Sequence, residues 1–263
     1  MVLYFSGTGN STFVATTIAN FLNQKLLFIP EIEPSQLEFS GDRLVIIFPV
    51  YSWGVPPLVV KFIENIPQNI FEWIIERDIP VDCVMTCGDE VALAPEMIQK
   101  VFNKKGVRIN SVRSVIMPNN YVLLPGFDVD SKELENKKLK LAEGRIMEIT
   151  QAILRQDKGI DVVRGSIPWL KSRLVYPLFK KWGVFPQKWH FLPSCIGCGK
   201  CARICPLSNV KMVEGNPNWG RRCCSCLGCY HICPVHAVEY GKETKKKGQY
   251  IFPLKEIATK NFH

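Results

Sequence analysis

Two copies of one cysteine pattern constrain this chain more than anything else in its 263 residues. The first is Cys195, Cys198, Cys201, Cys205 and Pro206, the second Cys223, Cys226, Cys229, Cys233 and Pro234, and both fit C-x2-C-x2-C-x3-C-P. A tight turn with three thiolates at this spacing wraps three corners of one iron–sulfur cubane, while its fourth cysteine is carried off by the following helix to the other cluster. The pattern assigns Cys195, Cys198, Cys201 and Cys233 to one [4Fe-4S] cluster and Cys223, Cys226, Cys229 and Cys205 to a second. Zinc sites instead close at four ligands per ion, from two CxxC pairs across a longer loop. A disulfide framework would need an exported chain.

Nine of the eleven cysteines fall between Cys195 and Cys233, as expected of reduced thiols committed to metal. Met1 to Ser6 show neither a basic n-region nor a long apolar run, so a cytoplasmic protein is expected and the Asn10-Ser11-Thr12 sequon is a coincidence. Charge divides unevenly: residues 1–156 carry 15 Lys and Arg against 18 Asp and Glu, residues 157–263 carry 18 against 6, a net of +12. No nucleic-acid motif accompanies the basic half, which points to an acidic redox protein as partner. The run Lys242 to Lys247 is a candidate docking patch.

The N-terminal part alternates strands and helices. Val2–Phe5 is a short apolar run. Ser6-Gly7-Thr8-Gly9-Asn10-Ser11-Thr12 follows as a hydroxyl-rich turn, and Val14, Ile18 and Leu22 recur at helical spacing. A helix N-terminus with such a turn suits an anion, with Ser6, Thr8, Ser11 and Thr12 as hydroxyl donors. It is neither a Rossmann fingerprint nor a Walker loop, lacking the third glycine and the lysine. Residues 43–50 read as a buried strand with Tyr51-Ser52-Trp53-Gly54 at its C-terminal end, Val81–Thr86 as a strand ending in Cys87-Gly88-Asp89-Glu90, and 112–117 as a strand before Pro118-Asn119-Asn120-Tyr121. A helix is predicted over 131–156, with Ala142, Ile146, Ile149 and Ile153 on its buried face. Five strands alternating with helices make a doubly wound α/β parallel sheet.

Ser6-x-Thr8-Gly9-x-Ser11, the aromatic loop at 51–54 and Cys87-Gly88-Asp89 resemble flavodoxin over residues 1–156. That resemblance implies FMN, its phosphate on Ser6 to Thr12 and its ring between Tyr51, Ser52, Trp53, Gly54 and Thr86, Cys87, Gly88, Asp89, with Tyr51 or Trp53 on one face and Tyr121 or the other domain covering the second. The cysteine segment resembles bacterial two-cluster ferredoxins, although the first copy, Pro206-Leu207-Ser208-Asn209-Val210, lacks the alanine that the second has at Ala237. End to end the chain is similar to the flavodoxin–ferredoxin fusion family of anaerobic bacteria and archaea. The implied division is a flavodoxin-like domain at 1–156, an aromatic and basic connecting segment at 157–190, and a small α+β ferredoxin domain at 191–263 with a basic extension.

Leu170, Leu174, Leu178 and Trp182 recur every four residues in the connecting segment, with Pro177 expected to kink any helix there. This stripe reads as packing between the two domains, with contact to a membrane surface as the alternative. The expected function is electron transfer between two [4Fe-4S] clusters and FMN. The alternative is a flavin-dependent reductase of a quinone, nitro compound or deazaflavin. Taken alone, Cys83 and Cys87 read as small buried hydrophobes, Cys224 as a spare thiol, and His231 and His236 as surface residues.

Overall fold

A computed structural model describes residues 1–182 and 185–253, without the Trp182 side chain. The rest of the C-terminal extension, and Trp182 as a member of the apolar stripe, lie outside the described residues. Six parallel strands form the central sheet: β1 (Val2–Tyr4), β2 (Leu26–Phe28), β3 (Leu44–Pro49), β4 (Val81–Cys87), β5 (Ser111–Ile116) and β6 (Gly159–Asp161). Their order is β2-β1-β3-β4-β5-β6, the doubly wound order of flavodoxin-like sheets with one strand appended.

The central strands are near-continuous apolar runs because helices cover both faces. Helices α1 (Asn10–Leu22) and α5 (Lys132–Leu154) bury Val14, Ile18, Ala142, Ile146 and Ile149 against Val2, Tyr4, Val45 and Ile47. On the other face, α2 (Pro57–Asn65), α3 (Gln68–Glu76) and α4 (Ala94–Asn103) bury Val59, Phe62, Phe71, Ile98 and Phe102 against Leu3, Ile46 and Met85.

The sheet has six strands where five are expected. Strand β6 escapes a periodicity reading because it is three exposed residues long and opens on Gly159 at φ +120°. It belongs to the sheet through Ser111↔Gly159 and Arg113↔Asp161. Helix α3 was also not expected; Pro67 precedes it and ends the apolar rhythm of α2.

After β6 come α6 (Pro168–Leu170), a π-helical turn over Lys171–Val175 and α7 (Tyr176–Trp182). The predicted disturbance at Pro177 takes that form: a proline ring crowds the carbonyl four residues earlier, and a widened turn relieves it.

The remaining chain makes two antiparallel ribbons and two short helices. β7 (Trp189–Phe191), α8 (Lys200–Arg203), β8 (Val210–Val213), β9 (Asn216–Trp219), α9 (Gly228–His231) and β10 (Val238–Tyr240) follow in order, with β7 paired to β10 and β8 to β9. Tyr230, Val238, Tyr240, Trp189 and the buried Cys201, Cys229 and Cys233 gather here with Val122 and Leu123 from the loop after β5, and Cys195, Cys205 and Cys223 pack against them. Cys224 and Cys226 pack the other way, onto the core beneath the sheet. The two parts thus share side chains in both directions.

Candidate functional site: a switch-point cleft beside two cysteine-lined cavities

The loops after β1, β3, β4 and β5 meet where the strand order reverses between β1 and β3, the place at which open α/β sheets bind ligands. One cleft there is lined by Ser6, Gly7, Thr8, Asn10, Ser11, Tyr51, Ser52, Thr86, Cys87, Gly88 and Tyr121. Gly9, Thr12, Trp53, Gly54 and Asp89 do not line it.

Each of those five has another task. Gly9 caps α1 at φ +101°, where an added Cβ would also strike Phe252. Thr12 is buried in the first turn. Trp53 is turned aside by its indole N–H, which donates to Glu90 at 2.7 Å, and Ser172 Oγ holds its carbonyl at 2.8 Å. Gly54 lies under the Tyr176 ring, 2.4 Å from where a Cβ would stand. Asp89 receives Lys138 and Asn119 at 3.2 and 3.1 Å. Tyr51 and Gly54 exchange backbone hydrogen bonds around Ser52 (φ +47°) and Trp53 (φ +62°). That tight turn, strained without glycine at its centre, points Tyr51 and Trp53 apart.

The turn before α1 keeps its donors free. Gly9 contributes no side-chain cap and the first turn holds no acidic residue, so the N–H groups of Asn10, Ser11 and Thr12 have no intrahelical acceptor. Thr8 Oγ1 accepts from Asn120 at 2.6 Å and retains its own proton; Ser11 and Thr86 share one hydrogen bond at 2.7 Å, leaving one of the two protons free. Ser225 Oγ, also on the cleft wall, is buried with no hydrogen-bond partner. These groups fit an anionic, hydrogen-bonding ligand such as a flavin phosphate.

Sequence reasoning missed Pro49, Val50, Pro118, Asn120, Phe179, Ser225, Cys226 and Leu227 on the cleft wall. Asn120 was flagged only within a loop motif. The last four come from distant sequence, and no local pattern announces them.

Among the described residues no group of three or more His, Cys, Asp and Glu side chains is placed to hold a metal ion, unlike the tight set a zinc ion needs at about 2.3 Å. The cysteines instead stand around two small cavities. Cys195, Cys198, Cys201 and Cys233 line one, with Ile196, Met212 and Val238. Cys205, Cys223, Cys226 and Cys229 line the other, with Trp189 and Trp219. Cys224 lines this second cavity as well, a fifth cysteine outside the repeated pattern.

The repeat is visible in the backbone. Gly197 and Ser225 have φ +64° and +60°, Gly199 and Leu227 +70° and +60°, Ser208 and His236 +47° and +51°. Asn209 N–H donates to Cys205 Sγ at 3.2 Å and Ala237 N–H to Cys233 Sγ at 3.1 Å. The missing alanine thus leaves the turn intact, and the Asn209 side chain adds bonds to Gly220 O and Arg222 N at 3.0 and 2.8 Å.

Trp189 Nε1 and Trp219 Nε1 are buried without a hydrogen-bond partner. Trp189 stands beside the Cys223 thiol and Trp219 beside the Cys229 thiol, neither in the geometry of a hydrogen bond, and burial pushes both thiols up. Two unpaired donors beside four thiols fit a group that brings its own acceptors, as the sulfides of a cluster would.

Of the two histidines flanking Cys233 and Pro234, His236 is half-buried and His231 is no surface residue. His231 is buried, its Nε2 2.7 Å from Asn120 O and its Nδ1 accepting from Tyr250 N–H at 3.0 Å. Those partners set the tautomer with the proton on Nε2, and burial pushes its pKa down to about 4. His236 meets Tyr230 Oη at 2.8 Å. Asn10 is buried too, bonding Pro118 O at 2.9 Å and accepting from Tyr250 Oη at 2.6 Å, so the sequon is sealed inside.

The site and sheet define a doubly wound α/β chain with an anion-type turn at its switch point and a cysteine-rich unit against it. No protein-family profile and no curated protein matches the chain. Among solved structures it is similar to a protein from Bacteroides uniformis, described provisionally as a flavoprotein. The two are 18% identical with a TM-score of 0.34, and the match covers 53% of this chain and 96% of that one. No helix among the described residues is long and apolar enough to cross a membrane.

Proposed function

We propose that the chain is an electron-transfer flavo-iron-sulfur protein, with FMN in the switch-point cleft and two [4Fe-4S] clusters in the cysteine-lined cavities. The observation that carries this reading is Cys226, which lines both the cleft and the second cavity. In this reading the six-strand sheet through β6 and its helices form a flavin-binding domain, the helical turns between β6 and β7 connect, and the chain from β7 onward forms a two-cluster ferredoxin domain. Thr8, Asn10 and Ser11 would hold the phosphate, and Tyr51, Cys87, Gly88 and Tyr121 would border the ring. Bound FMN exchanges one or two electrons and each cluster exchanges one.

The cleft wall favours electron transfer over reduction of a small substrate. It holds no His, Asp, Glu, Lys or Arg among the described residues. Burial pushes Cys87 and Tyr121 up to about 12 and Tyr51 well above its ordinary value. Cys226, whose thiol the Cys224 side chain holds below its ordinary value, is assigned to a cluster, and the chain's other titratable groups on the wall do not exchange protons near neutrality.

Anaerobic purification should give about eight iron, eight acid-labile sulfide and one FMN per chain. Zinc in place of iron would overturn the cluster assignment. Ser11→Ala should weaken FMN by removing a charge-assisted bond of about 1.5 to 3 kcal/mol while leaving riboflavin affinity unchanged; an equal loss for both would remove the phosphate from this turn.

An acidic one-electron carrier is the proposed partner, with reduction that slows as salt rises; a salt-independent rate would refute it. Lys247 is not a docking charge, because its ammonium binds Val122 O at 2.8 Å and Leu124 O. Lys245 and Lys246 remain exposed.

Hydrogen bonds to cluster sulfurs raise reduction potentials, so Trp219→Phe should lower the potential of the cluster in the second cavity. A tenfold change in its redox equilibrium is about 59 mV for one electron. Protein-film voltammetry at unchanged iron content reads it, and an unmoved potential would show that the indole N–H does not face the cluster.

A further inference from the structure

The apolar stripe of the connecting segment is turned outward. Ile167 is 64% exposed, Trp169 60%, Leu170 40%, Leu174 51% and Leu178 51%. The opposite side of the same helix does the packing. Ser172 accepts from Leu93 N–H at 2.9 Å and donates to Trp53 O at 2.8 Å. Tyr176 Oη donates to Val55 O, and Phe179 closes the cleft wall. The segment is fastened along one face and bare along the other, with Leu170, Leu174 and Leu178 four residues apart in one row and Ile167 and Trp169 exposed at its N-terminal end. An apolar row of this size on a fixed element marks an interaction surface.

We propose that this row seats the protein on an anionic membrane surface. A helix with Leu, Ile and Trp on one side and cations at its margins lies in the headgroup plane without crossing, and the 15-residue stretch 168–182 is too short to span. From Arg164 to Lys181 the chain has five Lys and Arg and no acidic residue. Arg164 pairs with Glu96 at 2.7 Å and Lys171 with Glu90, while Arg173 and Lys180 stand exposed at the row's edge, where lipid phosphates would meet them. A second copy docking by twofold symmetry would bring the exposed Arg173 and Lys180 of one row against those of the other. An acidic soluble protein would match the charge but does not require the apolar row.

The test uses the full chain with whatever cofactors it carries, and vesicles of phosphatidylcholine alone or mixed with phosphatidylglycerol. Co-sedimentation is expected with the mixed vesicles, weaker at high salt and at least about tenfold weaker on neutral ones. Trp169→Ser with Leu174→Ser should cut binding by about tenfold or more while melting temperature and iron and flavin content hold, since these side chains are largely exposed. Arg173→Glu should weaken binding to mixed vesicles only. No binding to either vesicle, binding unchanged by the double variant, or a dimer that the double variant dissolves would each overturn the proposal. Iron and flavin content, read on the same samples, report separately on the cofactor assignment.

Discussion

Cys205→Ser is expected to remove the cluster proposed for the second cavity and spare the one proposed for the first, taking about four of about eight irons per chain; Cys233→Ser should do the reverse. Cys205 follows the first motif in sequence but lines the cavity of Cys223, Cys226 and Cys229, and Cys233 lines that of Cys195, Cys198 and Cys201. The cause is local. Three cysteines sit on a turn bent by residues at φ near +60°, and one short helix then carries the fourth across to the other side. Mössbauer or EPR spectra of the two variants should be complementary. If each variant lost the cluster of its own motif, the ligation would be uncrossed and the repeat would be two separate sites.

What was legible in sequence follows from the range of the interactions involved. The cysteine spacing and the strand–turn–helix at the N-terminus are set by residues within a dozen positions of one another, and the structure groups eight of the cysteines around two cavities and starts α1 at the hydroxyl-rich turn. The six-strand sheet is legible except at β6, whose three residues gain their strand from pairing with β5 and not from their own composition. The cleft is legible on the sheet side and blind on the other, because Phe179 and Ser225 arrive from more than fifty residues beyond β5.

Trp53 and the apolar row show a different limit. The sequence puts Trp53 at the cleft and the row between the two halves, yet a strained turn and two hydrogen bonds rotate Trp53 away from the cleft, and the buried bond network of Ser172 and Tyr176 leaves the row facing out. Hydrophobic period gives the existence of a face; the polar anchors beside it give its direction.

The second large effect concerns Gly7, where the two halves touch backbone to backbone. A Cβ there would lie 2.3 Å from Cys226 O and 2.8 Å from Cys226 Cβ, and a Cβ on Gly228 would lie 2.8 Å from Gly7 O. Neither obstacle is the movable end of a long side chain, so Gly7→Ala must displace either the anion turn or the second cysteine loop. Overpacking of this kind costs about 1 to 3 kcal/mol, and here the strain falls on the one seam shared by both proposed cofactors. We expect weaker FMN binding, faster loss of iron from the second cavity and slower reduction of one cofactor by the other. Gly144→Ala is the control. Gly144 lies inside α5 with nothing within 4 Å of its added Cβ, and alanine there should raise stability by about 0.8 to 1 kcal/mol with cofactor content unchanged. Equal melting temperatures and equal FMN affinity for Gly7→Ala and Gly144→Ala would mean that the seam is loose, and the coupling assigned to Cys226 would have to be sought elsewhere in the contact.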